Sequence, residues 1–209
     1  MLLILELYES TGEVLGEGSF GQVATYRNVS TGKEFAVKVV QKASGLHGRQ
    51  KMLKEIETFH HCRGHDSILQ LIEYFEEDDR FYVVFEKMEG GTLLDSILQR
   101  GHLTEAEASS VVRDIARALS FLHNKGIAHR DLKPENILCA RAGQLTPVKI
   151  CDFDLGSGIQ LDTERSNVVT TPELLSPVGS ADFMAPEVVD VWLDRAWSYD
   201  KRCDLWSLG

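Results

Sequence analysis

The feature that most restricts what this chain can fold into is a change of hydrophobic period part-way along it. Up to about residue 88, apolar and β-branched residues alternate or run in short stretches between Gly-containing turns; beyond Gly90-Gly91 they recur every three to four residues. Segments 13–18, 22–28 and 34–40 read as a three-stranded meander, with Ser30-Thr31-Gly32-Lys33 as the second turn. Met52, Leu53, Ile56 and Phe59 then fall at helical spacing within 49–61, and 68–75 and 80–85 read as two further strands around the acidic turn Glu76-Glu77-Asp78-Asp79. After Thr92 the pattern predicts a short helix over 93–99 and a longer one from Thr104 to about His123, opened by the capping-box pair Thr104 and Glu107. The expectation is an α+β chain. Residues 1–88 would form a lobe of five antiparallel strands plus one helix, and 89–209 a mainly helical lobe. The boundary near 87–91 is where a small-molecule site is expected, since such sites favour domain interfaces.

Composition narrows the function classes. The chain has 22 Lys plus Arg against 32 Asp plus Glu, a net charge of −10, which argues against a sequence-independent grip on nucleic acid or an anionic membrane surface. Four cysteines, Cys62, Cys139, Cys151 and Cys203, stand far apart with no CxxC spacing, which points to a reducing, intracellular setting. The apolar opening stretch 1–7 is too short to span a bilayer and reads as a strand lead-in.

Three constellations carry chemistry. Gly16-Glu17-Gly18-Ser19-Phe20-Gly21-Gln22-Val23 lies between two predicted strands, so it is neither a strand-to-helix dinucleotide turn nor a Walker loop; bare glycine backbone there can close over phosphates. Phe35-Ala36-Val37-Lys38 places an ammonium, a mobile point charge suited to phosphate oxygens, on a following strand, and Glu55 on the next helix could hold it, with Glu57 as the decoy. His129-Arg130-Asp131-Leu132-Lys133-Pro134-Glu135-Asn136 precedes the short apolar strand 137–139. Within it Asp131 can accept a hydroxyl proton, Lys133 can balance charge on a transferred group, and Asn136 offers an oxygen to a hard cation such as Mg²⁺. Val148-Lys149-Ile150-Cys151 then delivers Asp152 at a strand end as a second metal oxygen.

With Ala185-Pro186-Glu187 and Asp204-Leu205-Trp206-Ser207-Leu208-Gly209 further on, the chain resembles the eukaryotic protein kinases over nearly its whole length. The resemblance implies a bilobal fold and ATP as the phosphoryl donor, its phosphates under Gly16, Gly18 and Gly21 and on Lys38, which pairs with Glu55. It implies adenine between Leu15, Val23, Ala36 and Leu138, the base edge against the backbone from Glu86 to Met88, and Phe85 behind it. Asp131 would orient the substrate hydroxyl, Asn136 and Asp152 would hold Mg²⁺, and Lys133 marks the serine/threonine class. The rival is a non-catalytic nucleotide-binding or scaffold protein, against which the intact Lys38, Asp131, Asn136 and Asp152 argue.

One departure narrows the resemblance. The usual glycine after Asp-Phe is Asp154, and Phe85-Glu86-Lys87-Met88, Thr171-Pro172-Glu173-Leu174 and 199–204 match the MAP-kinase-interacting kinases. That group implies the cap-binding translation initiation factor as substrate and MAP kinases as activators, acting on Thr171 and Ser176, each followed by proline, with Arg130 as a partner for the added phosphate. Asp154 lacks glycine's conformational freedom and adds charge beside Asp152, so the expectation is a resting state with Phe153 turned out into the nucleotide site. Gly179-Ser180 stands where Gly-Thr is commoner, which bears on substrate selectivity. The helical pattern stops at Gly209, where the resemblance implies further helices; the expectation is a catalytic domain whose last helix has an uncovered apolar face, aggregating or inactive as it stands.

Overall fold

The computed structural model describes residues 4–18, 21–42, 46–157, 160–161, 168–169 and 173–209. Thr171, one of the two expected modification sites, lies outside them, as do Ser19 and Phe20 of the glycine-rich segment. The chain divides into two units, the first made of 1–63 with 69–88 and the second of 64–68 with 89–209.

In the first unit a four-residue helix, α1 (Ile4–Leu7), leads into β1 (Tyr8–Gly18), β2 (Gly21–Asn28), β3 (Glu34–Gln41), helix α2 (Leu46–His61), β4 (Leu71–Glu76) and β5 (Arg80–Glu86). The five strands form one antiparallel sheet in the order β1-β2-β3-β5-β4. Alternation along each strand sorts its residues onto two faces. Phe35 and Val37 of β3 and Tyr82 and Val84 of β5 join Ile4 and Tyr8 in one buried cluster. Tyr8 meets Phe35 edge-on with ring centroids 5.6 Å apart. The opening segment is therefore helical where a strand lead-in was expected: burying Ile4 on this cluster outweighs the β-like composition of so short a run. On the other face α2 buries Met52, Ile56 and Phe59, and Phe59 packs edge-on against Phe85 at 4.8 Å.

Two strands differ from expectation by more than one residue at an end. β1 begins at Tyr8, five residues early, because its backbone pairs Tyr8 with Asn28 and Ser10 with Tyr26 before irregularities around Val14. β4 begins at Leu71; Ile68, which belongs to the second unit, instead forms an isolated parallel bridge with Ile150 of the same unit, where Ile150 N donates to Ser67 O at 3.0 Å.

The second unit carries α3 (Leu93–Arg100), α4 (Glu105–Asn124), the hairpin β6 (Ile137–Cys139) and β7 (Val148–Ile150), the short pair β8 (Gln160–Leu161) and β9 (Val168–Val169), α5 (Pro186–Trp192) and α6 (Cys203–Leu208). The expected capping box opens α4: Glu107 N donates to Thr104 Oγ1 at 3.3 Å and Thr104 N to Glu107 Oε2 at 2.9 Å. A cap of this kind is worth about 1 kcal/mol. Val111, Ile115, Ala118, Leu119 and Leu122 form the buried stripe of α4. A second cluster joins Ala128, Leu174, Ala185, Val188, Tyr199 and Cys203 around α5 and α6. The outer face of α6 is open, with Leu205 51% and Trp206 58% exposed.

Within the first unit Glu76 fastens the helix to the sheet. It takes a two-pronged contact from Arg49 at 2.7 and 2.9 Å, and Lys42 Nζ lies 2.9 Å away. The Arg49 hydrogen bonds, aided by Lys42 and opposed by partial burial, lower its carboxyl from 4.5 to about 2. A depressed folded value means stability that is fully present above the unfolded value and lost as pH falls through the folded one. Because Arg49 is half exposed, solvent screening reduces the contribution to about 1 kcal/mol. Urea titrations of wild type and Glu76→Gln should therefore differ by that amount at pH 7, with the gap closing as pH falls from about 4.5 toward 2; a gap constant with pH would show that the carboxylate charge is not the source.

Candidate active site

In the first unit the register of β3 decides which groups are presented together. Lys38 pairs with Val23 of β2 and Val83 of β5, and Ala36 pairs with Thr25 and Phe85. Directly paired residues share a face, so Val23, Ala36, Lys38 and Phe85 lie on one side of the sheet, while Phe35 and Val37 lie in the cluster on the other. Lys38 Nζ is 2.9 Å from Glu55 Oε1, with the two side chains 16% and 4% exposed. Glu55 makes this contact because it lies on the same stripe of α2 as Met52, Ile56 and Phe59; Glu57, two positions on, points away and lies 3.2 Å from His61. A mostly buried pair of this kind is weak evidence of stability; its effect is to aim the ammonium.

Gly21 is sterically required, since its φ is 144° and an added Cβ would stand 2.0 Å from Val39 O. Gly16 has open space on that side, so the sheet does not demand glycine there. Leu15 is partly exposed, and Val23, Met88 and Glu86 are half-buried. The Glu86 carboxylate turns back to accept from Gln70 N at 2.8 Å, while Glu86 N donates to Gln70 O at 3.1 Å.

In the second unit the hairpin brings Asn136 and Asp152 together, because one precedes β6 and the other follows β7. Ile137 pairs with Ile150, and Cys151 N donates to Asn136 O at 2.9 Å. Leu138 lies on β6 opposite Lys149. Asn136 Nδ2 is committed to Asp131, 2.8 Å from its backbone oxygen and 3.1 Å from Oδ2, so the amide oxygen is the end suited to a cation. Among the described residues no cluster of three or more His, Cys, Asp or Glu could hold a metal. One amide oxygen and one carboxylate fit Mg²⁺, which is commonly held by one or two carboxylates together with substrate phosphates.

Asp131 is surrounded by donors. Ser180 N and Oγ reach Oδ1 at 2.9 and 2.8 Å, and Lys133 Nζ lies 3.1 Å from Oδ2 and 2.7 Å from Ser180 Oγ. Burial would raise this carboxyl, but the hydrogen bonds from Ser180 and Lys133 and the Lys133 charge outweigh it and hold it below its ordinary range. A serine hydroxyl thus already sits between the carboxylate and the ammonium.

Two residues of this region have left-handed backbone, Arg130 with φ 71° and Asp152 with φ 63°. Arg130 is held there by Asp204, whose carboxylate accepts from His129 N at 2.9 Å and Arg130 N at 2.8 Å and lies 2.8 Å from His123 Nε2. The His129 ring accepts from Asp131 N at Nδ1 and reaches Cys151 O from Nε2 at 3.0 Å, which places its proton on Nε2. The Arg130 side chain donates to Leu155 O, Ser176 O and Tyr199 Oη at 2.6, 3.2 and 3.1 Å. Ser176 is exposed, and Arg130 holds its backbone carbonyl. Gly179 is fitted to the same loop: its φ is 128° and a Cβ would stand 2.6 Å from Arg130 O.

The expectation for Phe153 is overturned. Its ring is 2% exposed and packs on His129 at 5.1 Å, so it is tucked into the second unit. Asp154 is not among the left-handed residues, and its N–H donates to Asp152 Oδ1 at 3.2 Å. No backbone strain at residue 154 drives the phenylalanine outward. Sequence reasoning also missed Ser180 as a partner of Asp131, and His123 and Asp204 as supports of the loop. The first carried a signal in the Gly179-Ser180 pair; the others are 81 residues apart with no spacing to find them.

Among the described residues no helix is long and apolar enough to cross a membrane. Compared with known proteins, the chain is 57% identical over 204 residues to MAP kinase-interacting serine/threonine-protein kinase 2 of Xenopus laevis, covering 98% of this chain and 43% of that protein. It is 56% identical to kinase 1 of that name from Xenopus tropicalis, covering 48% of it, and 49% identical to mnk-1 of Caenorhabditis elegans, covering 29%. The chain thus spans under half the length of these relatives. The profile of the protein kinase domain matches residues 9–209, and with the Lys38–Glu55 pair, the Asp131 loop and the Asn136–Asp152 hairpin in place, the chain belongs to the protein kinase domain family.

Proposed function

We propose that this chain transfers the γ-phosphoryl group of ATP to a serine or threonine hydroxyl of a protein, as a kinase activated by MAP kinases and acting on the cap-binding translation initiation factor in the cytoplasm or nucleus. The observation that carries the transfer reading is the serine hydroxyl gripped between Asp131 and Lys133. The same carboxylate can take the proton of an incoming alcohol as its oxygen forms the new bond to phosphorus and the bond to the β-phosphate oxygen breaks, while Lys133 balances charge on the transferred group. Lys38, aimed by Glu55, neutralises the α- and β-phosphates, and Asn136 and Asp152 would hold Mg²⁺, which when bound supplies charge neutralisation at the phosphates. Leu15, Val23, Ala36 and the 86–88 backbone would take the base. The activator reading is supported by similarity to kinases named for their interaction with MAP kinases, and the substrate reading by the sequence resemblance described above.

Three further expectations concern regulation. Thr171 and Ser176 are the sites proposed for MAP kinases, and Asp154 is the regulatory departure from glycine, acting through its bond to the metal aspartate. Asp154→Gly should then change basal activity or ATP affinity; identical values in both would remove Asp154 from regulation.

The central test is transfer of labelled phosphate from ATP to the cap-binding factor. Asp131→Asn should lower kcat by roughly 10² to 10⁴, and an activity insensitive to that substitution would overturn the reading. Ser180→Ala removes the hydroxyl shared by Asp131 and Lys133 and should lower kcat about tenfold, while Ser180→Thr, which keeps the hydroxyl, should retain activity within about threefold. Gly179→Ala should be more damaging than either, because the backbone of Arg130 must move; thermal melting read beside activity separates that displacement from a loss of chemistry.

A further inference from the structure

The first unit carries a second charged cluster, apart from the Lys38–Glu55 pair. Lys87 Nζ donates to Glu13 Oε2 at 2.6 Å and to Glu34 Oε2 at 3.0 Å. Thr25 Oγ1, on a fully buried residue, donates to the same Glu13 oxygen at 2.6 Å, and Arg27 Nη2 lies 3.0 Å from Glu34 Oε1. The Lys87 side chain is 17% exposed, against 54% for Glu13 and 37% for Glu34, so the ammonium lies inside the cluster and the carboxylates face out. The Lys87 hydrogen bonds, as the largest cause, lower both carboxyls, and the bonds from Glu13 and Glu34, against partial burial, raise the ammonium, so all three stay charged through the neutral range.

The register places this cluster. On one face of the sheet the successive rungs are Lys38 with Val23, then Ala36 with Thr25 and Phe85, then Glu34 with Arg27. Rungs on one face are about 6.7 Å apart. Alternation past Phe85 brings Lys87 to this same face, beside Glu34. Along one line the face therefore offers an ammonium for phosphates, a small apolar wall for a base, and a charged clasp one rung further out. Glu86 goes the other way, onto Gln70.

Through Glu13 the clasp joins elements that the sheet does not. β1 is an edge strand, bonded only to β2, and its ladder is irregular on both sides of Val14. Edge strands with broken ladders shift at little cost. β2 and β3 separate β1 from β5, so Lys87 ties the segment after β5 to the edge strand through Glu13 and to β3 through Glu34. We infer that Lys87 is a positioning residue for the nucleotide base: by clasping Glu13, with Glu34 holding the ammonium in place, it fixes the distance between the 86–88 backbone and the part of β1 that carries Leu15, without itself touching the ligand. This rests on the reading of that face as a base site, and goes beyond it by naming what fixes its width.

The test measures binding of a fluorescent ADP to the 209-residue chain, with tripolyphosphate, which has no base, as competitor. Lys87→Met should weaken the fluorescent ADP about fivefold, the size expected for two partly exposed ion pairs, and leave the dissociation constant of tripolyphosphate unchanged. Lys87→Arg should restore affinity to within about twofold, and the double variant Glu13→Gln with Glu34→Gln should match Lys87→Met, with little further loss when the three are combined. Melting curves establish that each variant is folded, and the glutamate variants carry the test should Lys87→Met not fold. Unchanged fluorescent ADP affinity in Lys87→Met, or equal weakening of both ligands, would overturn the inference while leaving the nucleotide reading intact. Failure of the wild type to bind the fluorescent ADP more tightly than Lys38→Met would overturn the nucleotide reading, and this inference with it.

Discussion

A carboxylate with no solvent exposure underlies the segment that carries Asp131. Asp204 takes the N–H groups of His129 and Arg130 on its two oxygens and has His123 Nε2 beside one of them. Leaving such a group without partners inside a protein costs several kcal/mol, so the three contacts are obligatory and fix the backbone on which they lie. Arg130 is consequently held at positive φ, and Asp131, one residue on, emerges toward Ser180, Lys133 and Asn136. The His129 ring carries the constraint across to Cys151 O and receives Phe153 on its face. One buried group thus sets the loop that carries Asp131, and through the His129 ring it braces the turn that presents Asp152.

The first unit solves a different problem with a different device. A sheet of five antiparallel strands has two faces, and the chain spends one on a cluster of aromatic and branched side chains around Tyr8. The other carries a line of chemically distinct rungs, from Lys38 through Ala36 to Glu34. On that face Lys38 is engaged by Glu55, and Lys87 by Glu13 and Glu34. These pairs contribute modestly to stability because most are partly exposed; their larger effect is orientational.

Much of the architecture was legible in the chain before its structure. The period change separated a strand-rich half from a helical one, the Thr104–Glu107 box marked the start of α4, and the ordered motifs named Lys38, Glu55, Asp131, Asn136 and Asp152. What escaped was governed by packing. The opening helix forms because Ile4 has a cluster to enter, and Phe153 lies inward because the His129 ring offers it a surface. Ser180 joins Asp131 from 49 residues away, and only the loop path around Gly179 brings it there.

By itself the sequence determined the inventory: which strands alternate, where helices are capped, and which groups are chemically able to hold phosphate, metal and a hydroxyl proton. These are local properties, set by spacing along the chain and by side-chain type. The tertiary structure decided which of those groups meet, which partner each selects, and which backbone conformations are tolerated. Glu55 rather than Glu57 takes Lys38 because only one lies on the buried stripe of α2, and Arg130 keeps its left-handed backbone because Asp204, far along the chain, has nowhere else to spend its oxygens. Such choices depend on burial and on the satisfaction of polar groups, which exist only once distant segments have come together.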